Sequence, residues 1–401
     1  MTDDLQNTVD FSATDAALGY FYQARLALLS SLQRLSKDAV FAVYLETLDD
    51  VVFDNDGSPL ELLQLKHHRE HLGNLTNASP DLWKSLRIWM AGRANGDIPL
   101  DSHLYLITTS SVSSGSTASY LMLNERNEAE AVKRLQETAA TSTNQTNEPA
   151  YNLFRNLSPK EHAALASSIV IFPNTPDIAD VHESLRVEAR HAVRRNHLDS
   201  FLSRLEGWWY KRVVEQLISP NTSPILSAEI ESKIDSLRDQ FKEDSLPVDR
   251  DILDAEVDAE IYESAVFVQQ VKLTGIGTKR IFAAIRDYYR AFEQRSRWVR
   301  EDLLLIGELD DYEQLLREEW ELQFDRLSDE LGEAAAEDAK REAARKIYAW
   351  VEDSSFPIRP QVQHPSMTRG SFHILADSLR VGWHPEFMHR LQRVLEPQGV
   401  L

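Results

Sequence analysis

Residues 45–68 read LETLDDVVFDNDGSPLELLQLKHH, and how this stretch folds decides the architecture around it. Two apolar runs, LDDVVF and LELLQLK, flank DNDG, where Asn and Asp precede Gly as in a tight turn. The runs predict the paired strands of a hairpin. AVFAVYL at 39–45, rich in β-branched, aromatic and alanine residues, predicts a strand before them. Successive side chains of a strand point to opposite faces, so Leu62, Gln64 and Lys66 share one face. A hairpin folded about DNDGS lets Asp50 face Gln64 in one register. Asp50, Gln64 and Lys66 then meet at one patch, with the acids Glu46 and Asp49 just upstream.

Such a patch has a chemistry. A carboxylate and a neutral oxygen suit Mg2+, which takes hard oxygen ligands and keeps several waters. The metal polarises a phosphate and helps deprotonate an attacking water. A lysine beside it orients that water and stabilises the charge that builds in the transition state. The plain alternative is that Gln and Lys of an amphipathic strand simply face water.

Upstream, residues 15–35 place Leu18, Phe21, Ala24, Leu28, Leu32 and Leu35 at steps of three or four, which predicts a helix. Downstream, SPDLWKSLRIWMAG at 79–92 opens with Ser-Pro and predicts a second helix, and HLYLITTSSV at 103–112 a fourth strand. The order is helix, three strands, helix, strand: an α/β or α+β layer with a central sheet. QETAATSTNQTNEPA at 136–150 reads as a loop, and ASSIVIFPNTP at 166–176 as a further strand. From about residue 178 the pattern turns helical, with helices over 178–218, 228–242, 279–300 and 312–352. ISPNTSP at 218–224 interrupts it, giving domains 1–218 and 219–401.

GYFYQARLALLSSL, YLETLDDVVF, LELLQLKHH, DLWKSLRIW and LYLITTS together resemble the N-terminal nuclease domain of the CD-NTase-associated double-stranded DNA endonucleases, effectors of bacterial antiphage defence. The resemblance covers roughly residues 15–200. It implies an α/β restriction-endonuclease-like (PD-(D/E)XK) N-terminal domain followed by a mostly α-helical C-terminal region. It also implies a DNA endonuclease using Mg2+ or Mn2+, with Asp50 as metal ligand, Gln64 as the second metal-site residue, the Leu65 backbone carbonyl beside them, and Lys66 as catalytic lysine. Glu46 and Gln23 match motif positions close to the site. Many PD-(D/E)XK enzymes carry Glu where Gln64 stands, and the glutamine removes one charge from the metal site. RGSFHILADSLRVGWHPEF at 369–387 resembles the C-terminal domain of three-component systems, in which an effector works with an SMC-like ABC ATPase subunit and a small middle subunit. Together the two resemblances imply the effector subunit of a Lamassu-type defence system, with double-stranded DNA as substrate. Homo-oligomerisation on activation is a further expectation, since a symmetric cluster would place several sites on one duplex. A non-catalytic scaffold on a degenerate nuclease fold is the competing reading.

The 401 residues, 42% hydrophobic and 27% charged, suit an ordinary globular chain of two or three domains. The absence of cysteine excludes disulfides and thiolate metal sites and suits a reducing compartment. MTDDLQNTVD does not resemble a signal peptide, and no apolar run is long enough to cross a membrane, so a cytoplasmic protein is expected. A net charge of −21 argues against general affinity for nucleic acid. A DNA enzyme of this composition needs a local basic surface, for which His67, His68, Arg69, Lys84 and Arg87 are the candidates. HHREH at 67–71 sets His67 and His71 four apart, a spacing that also binds zinc, but no third ligand follows. TGIGTKR at 274–280 lacks the spacing of a phosphate-binding loop and predicts a helix-capping turn. ARHAVRRNH at 189–197 would put Arg190, Arg194 and His197 on nearby helical faces, and DRDILDAEVDAEIYE at 249–263 reads as a solvated acidic face.

Overall fold

The computed structural model describes residues 13–37, 39–55, 58–66, 74–124, 126–175, 178–219, 223–332 and 335–395. The chain divides into two units, residues 1–236 and 237–401. The division falls beyond the ISPNTSP break because the strand that follows the break pairs back into the N-terminal sheet.

In the first unit, helix α1 (Ala13–Leu35) leads into β1 (Ala42–Leu45), β2 (Val51–Asn55) and β3 (Ser58–Lys66), then β4 (Asn74–Leu75), α2 (Pro80–Asn95) and β5 (His103–Thr108). β6 (Ser111–Val112), α3 (Thr117–Tyr120), α4 (Glu128–Thr141), α5 (Glu148–Arg155), α6 (Pro159–Ser168), β7 (Ile169–Phe172), α7 (Ile178–Ala189), α8 (Leu198–Ile218) and β8 (Ile225–Leu226) follow, and the division between the units falls within α9 (Ser227–Gln240). The main sheet has the order β7-β5-β3-β2-β1-β8, and β4 pairs with β6 apart from it. β1, β2 and β3 form an antiparallel meander, while β5 runs parallel to β3 and β7 parallel to β5. A parallel neighbour needs a crossover, and α2 supplies it between β3 and β5.

Alternation along the strands sorts the side chains. Val52, Leu62, Leu104 and Leu106 pack on one face with Leu82, Trp83, Leu86, Trp89 and Met90 of α2. Trp83 meets Tyr151 edge-on at 4.5 Å, tying α5 to this layer. Gln64 and Lys66 lie on the same face as Leu62, toward α2. Near the other face, α8 is pinned to α1 by Trp209 Nε1, which donates to the Ala24 carbonyl at 2.7 Å. The buried Gln216 accepts from Leu45 N and donates to Val43 O, finishing the outer edge of β1 where β8 stops.

Three expectations are corrected. The polar stretch 136–150 is not a loop: α4 runs to Thr141 and α5 begins at Glu148, with a 3-10 turn at Gln145–Asn147 between them. The helical region after 178 is broken at 190–197, so Arg190 and Arg194 sit in a connecting segment, and the buried His197 donates its backbone N–H to the Arg194 carbonyl at 2.9 Å. The helix expected over 312–352 is two helices, α13 (Glu308–Leu331) and α14 (Glu337–Asp353), parted at Gly332, whose φ of 70° is a left-handed conformation that glycine adopts without strain.

The second unit is helical among its described residues. It comprises α10 (Arg250–Leu253), α11 (Val266–Leu273), α12 (Thr278–Arg300), α13, α14, α15 (Pro365–Asp377) and α16 (Phe387–Leu395). Its core gathers Phe267, Ile285, Leu316, Ile347, Phe372 and Trp383. α15 crosses α12 closely: a Cβ added at Gly370 would overlap the Asp287 carbonyl oxygen, so only glycine fits there. In the acidic stretch 249–263, Asp249 departs from a solvated face: it is buried and accepts from Gln294 at 3.0 Å. No described helix is long and apolar enough to cross a membrane.

Candidate functional site

The register Val51↔Leu63 and Val52↔Leu62 brings Asp50, one step before β2, beside Gln64 and Leu65. Asp50 is the last residue of the five-residue connection from β1 rather than a strand residue. Its Oδ2 accepts the Leu65 N–H at 2.6 Å, and its carbonyl accepts the Glu46 N–H at 3.1 Å. In a strand the N–H and C=O of one residue point to the same edge, so the Leu65 carbonyl is directed to the Asp50 side. Glu46 holds a left-handed φ of 52°, a strained conformation for a residue with a side chain.

Gln64 is 2% exposed, and its Oε1 has no hydrogen-bond partner. A buried amide oxygen left unpaired costs free energy, about 1–3 kcal/mol. Lys66 is half-buried on the same face. Burial lowers its ammonium pKa, Asp50 and Lys84 act on it in opposite directions, and Asp81 and Asp49 favour its charge. Burial, then the Asp50 charge, raises the Glu46 carboxyl, against the pull of Lys66 and Lys84. Asp50, Gln64, Lys66, Glu46 and Lys84 therefore form one electrostatic neighbourhood. Gln23 is half-buried on α1, one turn past Tyr20, whose phenol is raised by burial and by Glu46. Lys84 and Arg87 are exposed on α2 and line a recess of about 290 Å³ with Asp81, Thr146 and Asn147. His67, His68 and Arg69 lie outside the described residues.

One member of the neighbourhood was named beside the patch but given no role from the sequence. Asp49 is 6% exposed; its Oδ2 accepts from Trp89 Nε1 at 2.7 Å and its Oδ1 from the Asp50 N–H at 3.1 Å. Burial pushes its carboxyl up to about 7, against the Trp89 hydrogen bond. The indole thus anchors the acidic connection to the α2 core. The available signal was a tryptophan at a core position of α2, since a buried indole N–H requires an acceptor.

The donors present fit a hard divalent cation. Asp50 Oδ1 has no hydrogen-bond partner among the described residues, Gln64 Oε1 is orphaned, and the Leu65 carbonyl shares their side. All are oxygen donors, as Mg2+ prefers. Among the described residues no three His, Cys, Asp or Glu side chains are grouped to hold a metal.

Residues 267–391 match C-terminal domain 7 of the ABC-three component (ABC-3C) systems. The match coincides with the core of the second unit. By this domain the chain is a component of an ABC-three component antiphage defence system, the context that 369–387 led one to expect. No curated protein matches the chain. Among solved structures it is similar to the Acinetobacter baumannii Cap4 SAVED/CARF-domain containing receptor with the cyclic trinucleotide 3'3'3'-cAAA, at 13% identity, 69% of this chain and 66% of that one, and a TM-score of 0.34. The chain thus spans just under two thirds of that receptor, and at this score the likeness carries no argument about fold or ligand.

Proposed function

We propose that the chain is a metal-dependent DNA endonuclease, the effector of its three-component defence system. In this reading the first unit is an α/β restriction-endonuclease-like (PD-(D/E)XK) domain, and the second binds the partner subunits. The carrying observation is the Asp50 carboxylate fixed on the Leu65 amide, with the orphaned Gln64 oxygen beside it and Lys66 on the same face. The order helix, antiparallel meander, crossover helix, parallel strand supports the fold assignment.

Bound Mg2+ would supply Lewis-acid activation of a phosphate and of water. The protein's own groups do the rest. The Leu65 N–H holds Asp50 in one orientation, so its free oxygen needs no reorganisation. Gln64 offers a neutral oxygen from a packed strand. Lys66 is positioned to orient a water and to stabilise charge on the phosphate, and its partial burial strengthens that interaction. Lys84 and Arg87 supply positive charge for the DNA backbone within an acidic chain. The SMC-like ABC ATPase and the small middle subunit are the proposed partners, and assembly on activation the proposed release from restraint.

One observation favours the second reading, a scaffold on a degenerate nuclease fold: position 64, opposite Asp50, carries a neutral glutamine rather than a second carboxylate. The test incubates the chain, alone and with the other two components, with plasmid DNA or RNA and Mg2+. The nuclease reading expects DNA cleavage by wild type and none by Asp50→Ala. Cleavage of neither nucleic acid under any combination leaves the scaffold reading standing.

A further inference from the structure

The connection between α12 and α13 is built rigidly and exposes apolar side chains. Asp302 and Gly307 take left-handed φ values of 53° and 81°, bounding a short loop. Leu303 is buried, and its N–H reaches the Trp298 carbonyl at 3.0 Å. The buried Arg359 donates to the Leu303 carbonyl at 3.0 Å, to the Ser245 carbonyl at 2.8 Å, and through two nitrogens to Glu308 at 2.7 Å each. Glu308 also accepts the Leu305 N–H at 2.8 Å. A bidentate arginine pair that also donates to two backbone carbonyls fixes geometry as well as energy.

On this base Leu305 is 71% exposed and Ile306 107%, with Val299 of α12 at 59% beside them. These three and Leu304 line a recess of about 280 Å³. Single exposed aliphatic residues are ordinary, but a contiguous group on an ordered loop marks an interaction surface. Asp302 and Asp310 are exposed at its lining, and Asp311 is exposed one residue further on.

We propose that the loop Leu303–Gly307 is a preformed knob that docks into an apolar recess of a partner protein rimmed by Lys and Arg. The acids select this occupant. They repel nucleic acid and anionic lipid, and in a second copy of this chain they would face each other across a two-fold interface. A basic-rimmed apolar pocket satisfies both the aliphatic tip and its acidic border. Preorganisation of the loop removes the ordering cost on binding. The proposal rests on the reading of the second unit as partner-binding, and it names the surface and its chemistry.

The test measures binding of the full chain to each of the other two purified components of its own system. Wild type is expected to bind one of them. The Leu305→Ser/Ile306→Ser variant should bind it at least about tenfold more weakly at unchanged melting temperature. Asp310→Lys/Asp311→Lys should slow association and flatten its salt dependence. Equal binding by the Leu305→Ser/Ile306→Ser variant, wild type binding neither component, or self-association that this variant abolishes overturns the proposal. Lys66→Ala should bind as wild type does, so a failure of the nuclease reading leaves this result readable.

Discussion

The Leu65 amide donates to the Asp50 carboxylate at 2.6 Å across a hairpin that separates them by fifteen residues. That bond joins the end of the β1–β2 connection to the strand carrying Gln64 and Lys66. A chain of contacts continues behind it: Asp50 donates to Asp49, which accepts from Trp89. The candidate site is therefore tied to the packed face of α2.

Removing the indole donor tests that tie. Trp89→Phe keeps most of the buried ring and leaves Asp49 Oδ2 without its partner. The variant is expected to lose about 1–3 kcal/mol in urea denaturation, the cost of an unpaired buried group. Loss within error of zero would mean that another donor replaces the indole.

The charge of the proposed metal site is tested at Gln64. Gln64→Glu adds a second carboxylate beside Asp50 and should tighten Mn2+ binding on the order of tenfold by calorimetry, because affinity follows ligand charge. Gln64→Ala should weaken it.

Close helix crossing is tested at Gly370. Gly370→Ala places a methyl group on the Asp287 carbonyl and should cost about 3 kcal/mol, at the upper end of overpacking effects, read by thermal unfolding.

The second unit should be acid-sensitive. His373 is fully buried with Nδ1 unpartnered, and burial, then Arg369, lowers its pKa to about 3. Arg286 and Asp287 of α12 and Tyr348 of α14 share its cavity. The folded value lies below the unfolded one, so the unfolded chain binds the proton first. The stabilisation is complete above the ordinary histidine value of 6.5 and is lost as pH falls toward 3. At pH 5 the loss is about 2 kcal/mol relative to pH 7.5. His373→Gln should remove that share of the pH dependence in denaturation followed by tryptophan fluorescence.

The sequence made the hairpin legible because its signals were local. A period of two along LELLQLK gives the face that Gln64 and Lys66 share, while the register that sets Asp50 opposite Gln64 rests on an irregularity between Phe53 and Asp54 that no local signal marks. What escaped depended on partners distant in the chain. Asp49 was named only as an acid upstream of the patch, and the packing of Trp89, forty residues on, is what buries it. The stretch 136–150 looked like a loop because its threonines and asparagines favour turns. Asn127 nevertheless caps α4, whose Ala131, Leu135 and Ala139 pack into the α2 layer. ARHAVRRNH has helical composition, yet the helix stops at Ala189, and composition alone could not place that stop.

The central claim is that Asp50, Gln64 and Lys66 form a phosphodiester-cleaving centre. Its most direct test is the rate of plasmid cleavage in Mg2+ by wild type and Lys66→Ala, each with the other two components of the system under activating conditions. Wild type is expected to cut, and Lys66→Ala, equally folded by circular dichroism, to be slower by about 10³-fold or more. Equal rates for the two, or no cleavage by wild type, would contradict it.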